Sequence, residues 1–219
     1  MTNPNLLTVT GVTKRFGKHP VLAGVDLDLA RGQVMVLLGT NGAGKSTLLK
    51  LAIGVLARDG GTLRVLGHDP QRDPAPVRER VGYVPAAPDV YPWMTPRKLF
   101  AFLAPHYPRY RNARAAALCQ EPELLLLDQP FSGRDPLMRE DVLTGVLGAL
   151  READTTVLVA THELEIAARI ADRVAILALG KIARHDTLAN VLGQDEPPRI
   201  PEGLRSALAA AELTELVPT

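Results

Sequence analysis

Nine consecutive residues, GTNGAGKST, have the types and spacing that bind phosphate groups. They match the pattern G-x-x-x-x-G-K-[ST], and they stand between an apolar run and a helical pattern. In such a loop, successive backbone N–H groups point at phosphate oxygens, and the following helix adds its positive dipole end. A glycine-rich turn without a ligand is the alternative interpretation. The candidate nucleotide-binding residues are Gly39, Thr40, Asn41, Gly42, Ala43, Gly44, Lys45, Ser46 and Thr47.

Charged and polar residues at defined positions extend this prediction to a nucleoside triphosphate with Mg²⁺. In the pattern, Lys45 reaches the β- and γ-phosphates and the Ser46 hydroxyl ligates the metal. The string LLLLDQP is an apolar strand that ends in Asp128, a carboxylate placed to hold Mg²⁺ through water. A buried strand ending in a helix-capping Asp is the alternative. The string VLVATHE brings His162 to another strand end, where a lone histidine is usually structural.

Apolar runs and alternating segments predict the elements that position these residues. Val25, Leu27 and Leu29 alternate with aspartates, which predicts a half-exposed strand. Continuous apolar runs, typical of a covered parallel sheet, are Val34–Leu38, Leu124–Leu127, Thr156–Ala160 and Val174–Leu179. Helical patterns follow the candidate loop and cover 137–150. The chain is therefore predicted to be α/β with a β-rich N-terminal part.

Composition limits the class of protein. The 219 residues can bury one core, and 25 basic against 24 acidic residues indicate no nucleic-acid partner. The single Cys119 excludes an internal disulfide and is expected to pack in the core. The N-terminus lacks the blocks of a signal peptide, and no apolar run approaches the roughly 20 residues that span a bilayer. We expect a cytoplasmic chain.

Several short strings, in order along the chain, are similar to the motifs of one family. From about Leu7 to Leu192 the chain resembles the ATP-binding subunits of ABC transporters, nearest those of bacterial ABC-2-type exporters. The matching strings are TKRFGK, the Walker A segment GTNGAGKST, the Q-loop region VGYVPAAPDVYPWMT, the Walker B segment LLLLDQP, the D-loop SGRDP, the H-loop ATHE and the closing strands ADRVAIL…GKI. This ordered set is more specific than the Walker A segment alone.

The resemblance implies a fold, ligands and residue roles. The implied fold is an α/β P-loop NTPase sheet flanked by helices, with an N-terminal antiparallel β-subdomain. The implied cofactors are ATP and Mg²⁺. Phe16 stands where the family stacks an aromatic ring on adenine, with a core position in the N-terminal strands as the alternative. His162 stands where the family contacts the γ-phosphate and orients the attacking water.

The chain departs from the family at catalytically important places. Gln129 replaces the glutamate that acts as general base or positions water, a contribution of about 10²–10⁴-fold. No LSGGQ-like signature is present, so the helical signature subdomain is expected to be truncated, with shortening between about 108 and 120. Ala86 stands in place of the Q-loop glutamine, and Arg134 in place of the usual D-loop leucine. The catalytic apparatus is predicted to be degenerate.

These features predict an ATP-binding domain over 1–193, followed by a Pro-rich linker and a C-terminal helix over 194–219. By resemblance, the domain couples ATP binding and hydrolysis to transport by a membrane permease, contacted near Tyr91–Thr95. It would pair with a second ATP-binding subunit as a homo- or heterodimer, on the inner face of the membrane. Its own turnover is expected to be impaired.

Two alternatives remain open. One is a non-hydrolysing ATP-binding module, regulatory or structural. The other explains the missing signature by an in-frame deletion in a decaying or edited gene. A soluble P-loop kinase is disfavoured because the D-loop and H-loop strings would have no role in it.

Overall fold

Two sheets organise the protein in a computed structural model that describes residues 4–86, 122–130 and 155–192. In chain order the elements of these residues are β1 (Asn5–Phe16), β2 (His19–Ala30), β3 (Val34–Leu38), α1 (Lys45–Ala52), β4 (Gly60–Val65), α2 (Pro74–Arg78), β5 (Val81–Val84), β6 (Leu124–Asp128), β7 (Thr156–Thr161), α3 (Leu164–Ile170), β8 (Arg173–Ala178), β9 (Lys181–Thr187) and α4 (Leu188–Leu192).

The first sheet is antiparallel and has the strand order β2-β1-β4. In β2, Val25, Leu27 and Leu29 are buried, while Asp26 is exposed and Asp28 is half-buried. This alternation is the period of a strand that has one face on the core. The predicted half-exposed strand and the N-terminal antiparallel β-subdomain are both confirmed.

The second sheet has the strand order β5-β6-β7-β3-β8-β9. Its first five strands are parallel, and β9 returns antiparallel to β8. The carboxyl ends of parallel strands meet at the same edge of a sheet, which is where α/β proteins bind ligands. The candidate loop Gly39–Thr47 follows β3 at this edge, and Asp128 ends β6 there.

Both faces of the six-stranded sheet are covered by apolar side chains. Along β3, Met35 and Leu37 pack into a core shared with the antiparallel sheet and α1, while Val36 and Leu38 pack into a second core with α3. A strand buried on both faces has no polar alternation, which explains the continuous apolar runs. The α/β class is confirmed.

One predicted strand is too long at its end. The apolar run Val174–Leu179 predicts a strand through Leu179, but β8 ends at Ala178. Leu179 adopts a left-handed φ of 49° in the turn to β9, and its side chain is 83% exposed. An apolar residue type does not reveal that the chain must turn back at this point.

Several predictions fall outside the described residues. They are the helix at 137–150, the linker and C-terminal helix at 194–219, the core position of Cys119, the D-loop, the permease contact at Tyr91–Thr95 and the shortening between about 108 and 120. In the part of the chain that the structure describes, no helix is both long and apolar enough to cross a bilayer.

Candidate nucleotide-binding site

The candidate loop is shaped by glycines at places where a side chain has no room. A Cβ on Gly39 would lie 2.5 Å from the carbonyl oxygen of Leu177, in the neighbouring strand β8. Gly44 has a φ of 106°, and a Cβ there would lie 2.7 Å from Cδ2 of Leu22. Gly42 also has a positive φ, of 85°. Gly39 and Gly44 therefore allow the loop to pack closely against β8 and β2, whereas at Gly42 the positive φ alone favours glycine.

Lys45 begins α1 and is only 3% exposed. Its Nζ donates to the carbonyl oxygens of Gly39, at 2.7 Å, and Thr40, at 2.8 Å. Burial lowers the pKa of Lys45, and the nearby Asp128 carboxylate opposes that shift. These two bonds use two of the three N–H donors of an ammonium group. The positive charge is thus held inside the loop, where a phosphate group is predicted.

The remaining residues of the loop complete its backbone and first helical turn. Ala43 N–H donates to the Thr40 carbonyl oxygen at 3.2 Å, which closes the turn over Asn41 and Gly42. Thr47 is half-buried in the first turn of α1. The loop therefore turns directly into the start of α1, and helix N-termini are places where anions bind.

Asp128 is 2% exposed and lies beside the start of α1. One carboxylate oxygen, Oδ1, accepts a hydrogen bond from Ser46 Oγ at 2.9 Å, and the other, Oδ2, accepts one from the Tyr83 hydroxyl at 3.4 Å. The alternative role of a helix cap accounts for neither of these contacts. Hydroxyl and carboxylate oxygens are the ligands that Mg²⁺ prefers.

The donor set fits Mg²⁺ bound together with a phosphate. Mg²⁺ usually takes one or two carboxylates, and substrate phosphates and waters supply its other ligands. Within 4–86, 122–130 and 155–192, no three His, Cys, Asp or Glu side chains cluster as a metal cage would require. Asp128 and Ser46 therefore suit a metal that arrives with a nucleotide.

Tyr83 is the residue of this site that sequence reasoning missed. It lies in β5, beside β6, and is paired in register with Leu126. Burial first, and then the Asp128 charge, raise its pKa to about 12, so the phenol is protonated at neutral pH and donates. An aromatic residue in a short strand resembles an ordinary core residue. The available signal was its position near the carboxyl end of a strand adjacent to β6.

Gln129 follows Asp128 in a conformation that is rare for a residue other than glycine. Its φ is 47°, and its backbone N–H donates to the Ala160 carbonyl oxygen at 2.8 Å. Its side-chain Nε2 donates to Asn41 Oδ1 at 3.4 Å. Gln129, which stands where the resembled family has a glutamate, therefore contacts the candidate loop through Asn41. Backbone conformations of this kind cluster at functional sites.

His162 follows β7 at the same edge of the sheet. Asp128 is paired in register with Ala160, so the ends of β6 and β7 are neighbours. His162 Nδ1 is buried and has no hydrogen-bond partner among the described residues. A buried ring nitrogen without a partner is costly, and ligand-binding sites are one place where it persists.

Phe16 lies apart from these residues, at the end of β1 on the antiparallel sheet. It is 46% exposed, unlike the core residue of the alternative interpretation. Lys14 Nζ lies 5.4 Å from the ring centroid and also forms an ion pair with Asp59 at 3.2 Å. The adjacent strand β2 reaches the candidate loop, because Val21 and Leu22 surround the Cβ position of Gly44. The ring is therefore accessible beside the strand that packs on the loop.

Comparisons with known proteins agree with this geometry. Residues 22–109 match the family model described as ABC transporter. A daunorubicin resistance ATP-binding protein of Streptomyces coeruleorubidus is 32% identical over 248 residues, covering 97% of this chain and 78% of that protein. An aliphatic sulfonates import ATP-binding protein of Rhodococcus jostii is 35% identical over 209 residues, covering 83% and 74% of the two chains.

The fold is also found among solved structures. A structure described as the ATP-binding subunit of an ABC transporter superposes with a TM-score of 0.72 at 24% identity, covering 96% of this chain and 97% of that chain. The two named relatives, at 32% and 35% identity, are covered over 78% and 74% of their length. The chain therefore belongs to the ABC transporter family of ATP-binding proteins, P-loop ATPases by fold.

Proposed function

We propose that this subunit binds Mg-ATP at the carboxyl edge of its six-stranded sheet and couples that binding to a membrane permease. The observation that carries the proposal is the burial of Lys45 inside the loop beside the Ser46–Asp128 pair. A cation and a carboxylate, both buried at the end of a parallel sheet, match what a metal-bound triphosphate requires.

Each residue has a defined part in this proposal. The backbone N–H groups of Gly39–Thr47 and the Lys45 ammonium bind the β- and γ-phosphates. Ser46 and Asp128 hold Mg²⁺, which when bound would neutralise phosphate charge. Gln129 and His162 flank the site, where they can orient a water but where an amide cannot accept its proton.

The proposed partners are a transmembrane permease and a second ATP-binding subunit, which places the chain on the inner face of the membrane. One relative is named for daunorubicin resistance and another for the import of aliphatic sulfonates. The cytoplasmic, membrane-peripheral location follows from that proposed assembly.

The test of nucleotide binding is the melting temperature of the purified chain with Mg-ATP. Binding to the folded state alone stabilises it by about 2.7 kcal/mol at a hundredfold excess over the dissociation constant. Lys45→Ala should abolish the shift because the buried cation is removed. Lys50→Ala, on the exposed side of the same helix, is the matched control and should keep it. An undiminished shift in Lys45→Ala would overturn the proposal.

Phe16 is proposed to stack on the base. Its ring offers a π-face without a hydrogen-bonding edge, so Phe16→Ala should weaken ATP and GTP alike, by roughly 1–3 kcal/mol if stacking energies of nucleic-acid bases apply. Binding titrations with both nucleotides measure this. Unchanged affinity for both would show that the exposed ring has another role.

A second candidate function is ATP binding without turnover. The amide of Gln129, in contact with Asn41, supports it because no carboxylate stands at the position of the usual base. The family match ends at residue 109, and the alignment with the Streptomyces relative extends over 248 positions, more than the 219 residues of this chain. Both facts support the proposed loss of a segment that would include the signature.

The variant Gln129→Glu tests whether slow hydrolysis comes from the missing carboxylate or from the missing signature loop. The carboxylate restores a group that can polarise water, yet no signature loop would close over the γ-phosphate, and phosphoryl transfer depends mostly on positioning and charge stabilisation. We expect very slow phosphate release by the wild-type chain and an increase of less than about tenfold in the variant, compared with about 10²–10⁴ for a base in a complete site. Brisk, cooperative hydrolysis by the wild type would contradict this.

A further inference from the structure

We infer that Tyr83 is a positioning residue that fixes the Asp128 carboxylate for metal binding. The inference rests on the proposed Mg-ATP site and deepens it. Its basis is the juxtaposition of two hydroxyl donors from different elements, Ser46 of α1 and Tyr83 of β5, on the two oxygens of one buried carboxylate.

The first step concerns the freedom of an aspartate side chain. The terminal torsion of Asp has broad wells, so a single hydrogen bond leaves the carboxylate plane poorly defined. Ser46 fixes Oδ1 at 2.9 Å, and Tyr83 approaches Oδ2 at 3.4 Å from the neighbouring strand. Contacts on both oxygens restrict the plane in which the carboxylate can present a lone pair to a metal ion or to its bound water.

The second step concerns Ser46, which serves the metal as well. A hydroxyl has one proton and two acceptor lone pairs, so Ser46 can donate to Asp128 and still offer an oxygen ligand. Removing the Ser46 hydroxyl would therefore remove a proposed metal ligand together with the contact on Asp128. Tyr83 is not a proposed metal ligand, so removing its hydroxyl removes only the contact with Asp128.

The third step concerns magnitude. Partners that orient a metal ligand typically contribute about 10–100-fold to metal affinity. The contact of 3.4 Å is longer than the usual O–H···O range of about 2.5–3.0 Å. We therefore expect the effect of Tyr83 to lie near the lower end, about tenfold.

The variant Tyr83→Phe tests the role because it removes the hydroxyl and keeps the ring that packs on the core. The measurement is the dissociation constant for ATP, first in excess Mg²⁺ and then in EDTA. Loss of metal positioning weakens binding about tenfold in Mg²⁺ and leaves binding in EDTA unchanged. A merely structural role would weaken both equally, so the ratio of the two constants is the decisive readout.

Two further variants calibrate that ratio. Ser46→Ala removes a proposed metal ligand and should lower the advantage of Mg²⁺ more than Tyr83→Phe does. Thr187→Val removes a hydroxyl that accepts from Asn190 N–H at the start of α4, beside the amino end of β8, and should leave the ratio at the wild-type value.

The outcomes distinguish this inference from the function on which it rests. If the wild-type chain binds no ATP in Mg²⁺, the proposed function and the inference both fail. If the wild type binds Mg-ATP but Tyr83→Phe keeps the wild-type ratio, or loses affinity equally with and without Mg²⁺, the inference alone is wrong.

Discussion

The two ends of the parallel strands differ in how their polar groups are hydrogen-bonded. At the amino ends, side-chain oxygens accept hydrogen bonds from backbone N–H groups. Thr156 Oγ1 accepts from Gly32 N–H and Asp172 Oδ2 accepts from Val34 N–H, both at 2.8 Å. Glu123, just before β6, accepts from Arg80 at 2.6 Å and Arg31 at 2.8 Å. These pairs join segments that are distant in sequence.

At the carboxyl ends, several polar groups are buried or have a strained backbone, whereas at the amino ends Arg173 Nε, at the start of β8, is buried without a partner among the described residues. Lys45 is buried with a lowered pKa, Gln129 has a positive φ, and His162 Nδ1 has no partner among the described residues. Each of these features is expected to lower stability. The difference indicates that one end of the sheet stabilises the fold, while the other retains groups that a ligand would satisfy.

The largest effect on stability is expected from removing the Asp172 side chain, at the amino ends of the strands. In Asp172→Ala the buried N–H of Val34 loses its acceptor, and we expect the free energy of unfolding to fall by about 2 kcal/mol. The melting shift with Mg-ATP should persist, because the ligand edge is unchanged. Urea unfolding measures the loss. Asp172→Asn keeps an acceptor oxygen and is the matched control, and equal losses in the two variants would contradict the hydrogen-bond explanation.

A smaller effect is expected at Glu123. Exposed and half-exposed ion pairs each contribute little, so Glu123→Gln should lower the free energy of unfolding by about 1 kcal/mol at neutral pH. Arg80 first, and then Arg31, hold the Glu123 pKa at about 2, below its ordinary value of 4.5. The contribution is therefore present above pH 4.5 and is lost as the pH falls toward about 2.

The pH dependence can be measured by urea unfolding of wild type and Glu123→Gln at about pH 6 and about pH 3. The difference between the two chains should shrink at the lower pH. A difference that grows on acidification would show that Glu123 is not held by its arginine partners.

The smallest effect on stability is expected at the ligand edge. In Gln129→Glu the Asn41 side chain can rotate its amide and donate to the new carboxylate, so the free energy of unfolding should change by less than about 0.5 kcal/mol. Thermal melting without nucleotide measures this. A loss as large as that of Asp172→Ala would place Gln129 among the stabilising residues and weaken the contrast between the two ends.

Much of this architecture could be predicted from the sequence. The apolar run Val34–Leu38 has the bounds of β3, and the glycine-rich loop after it leads into helix α1 as predicted. These predictions succeed because a strand buried on both faces and a glycine-rich turn between a strand and a helix each leave a local pattern.

Other features depend on contacts that no local pattern contains. The turn at Leu179 was missed because its cause is the return of the chain as β9. Tyr83 was missed because its contact with Asp128 requires β5 and β6 to be neighbours. The strand order itself, with β3 between β7 and β8, follows from pairing across the length of the chain.

The central place of β3 has a consequence for synthesis. Val36 is aligned with Val159 on one side and Val174 on the other. Both strands that pair with β3 are therefore synthesised much later than β3 itself. Pairing between distant segments is slow, and unpaired edges are prone to aggregation. A ribosome-bound chain that stops before β8 therefore carries the complete loop sequence on an unfinished sheet. The proposed ATP site therefore lies at the edge of a sheet that is complete only after β8, the last parallel strand, has been made.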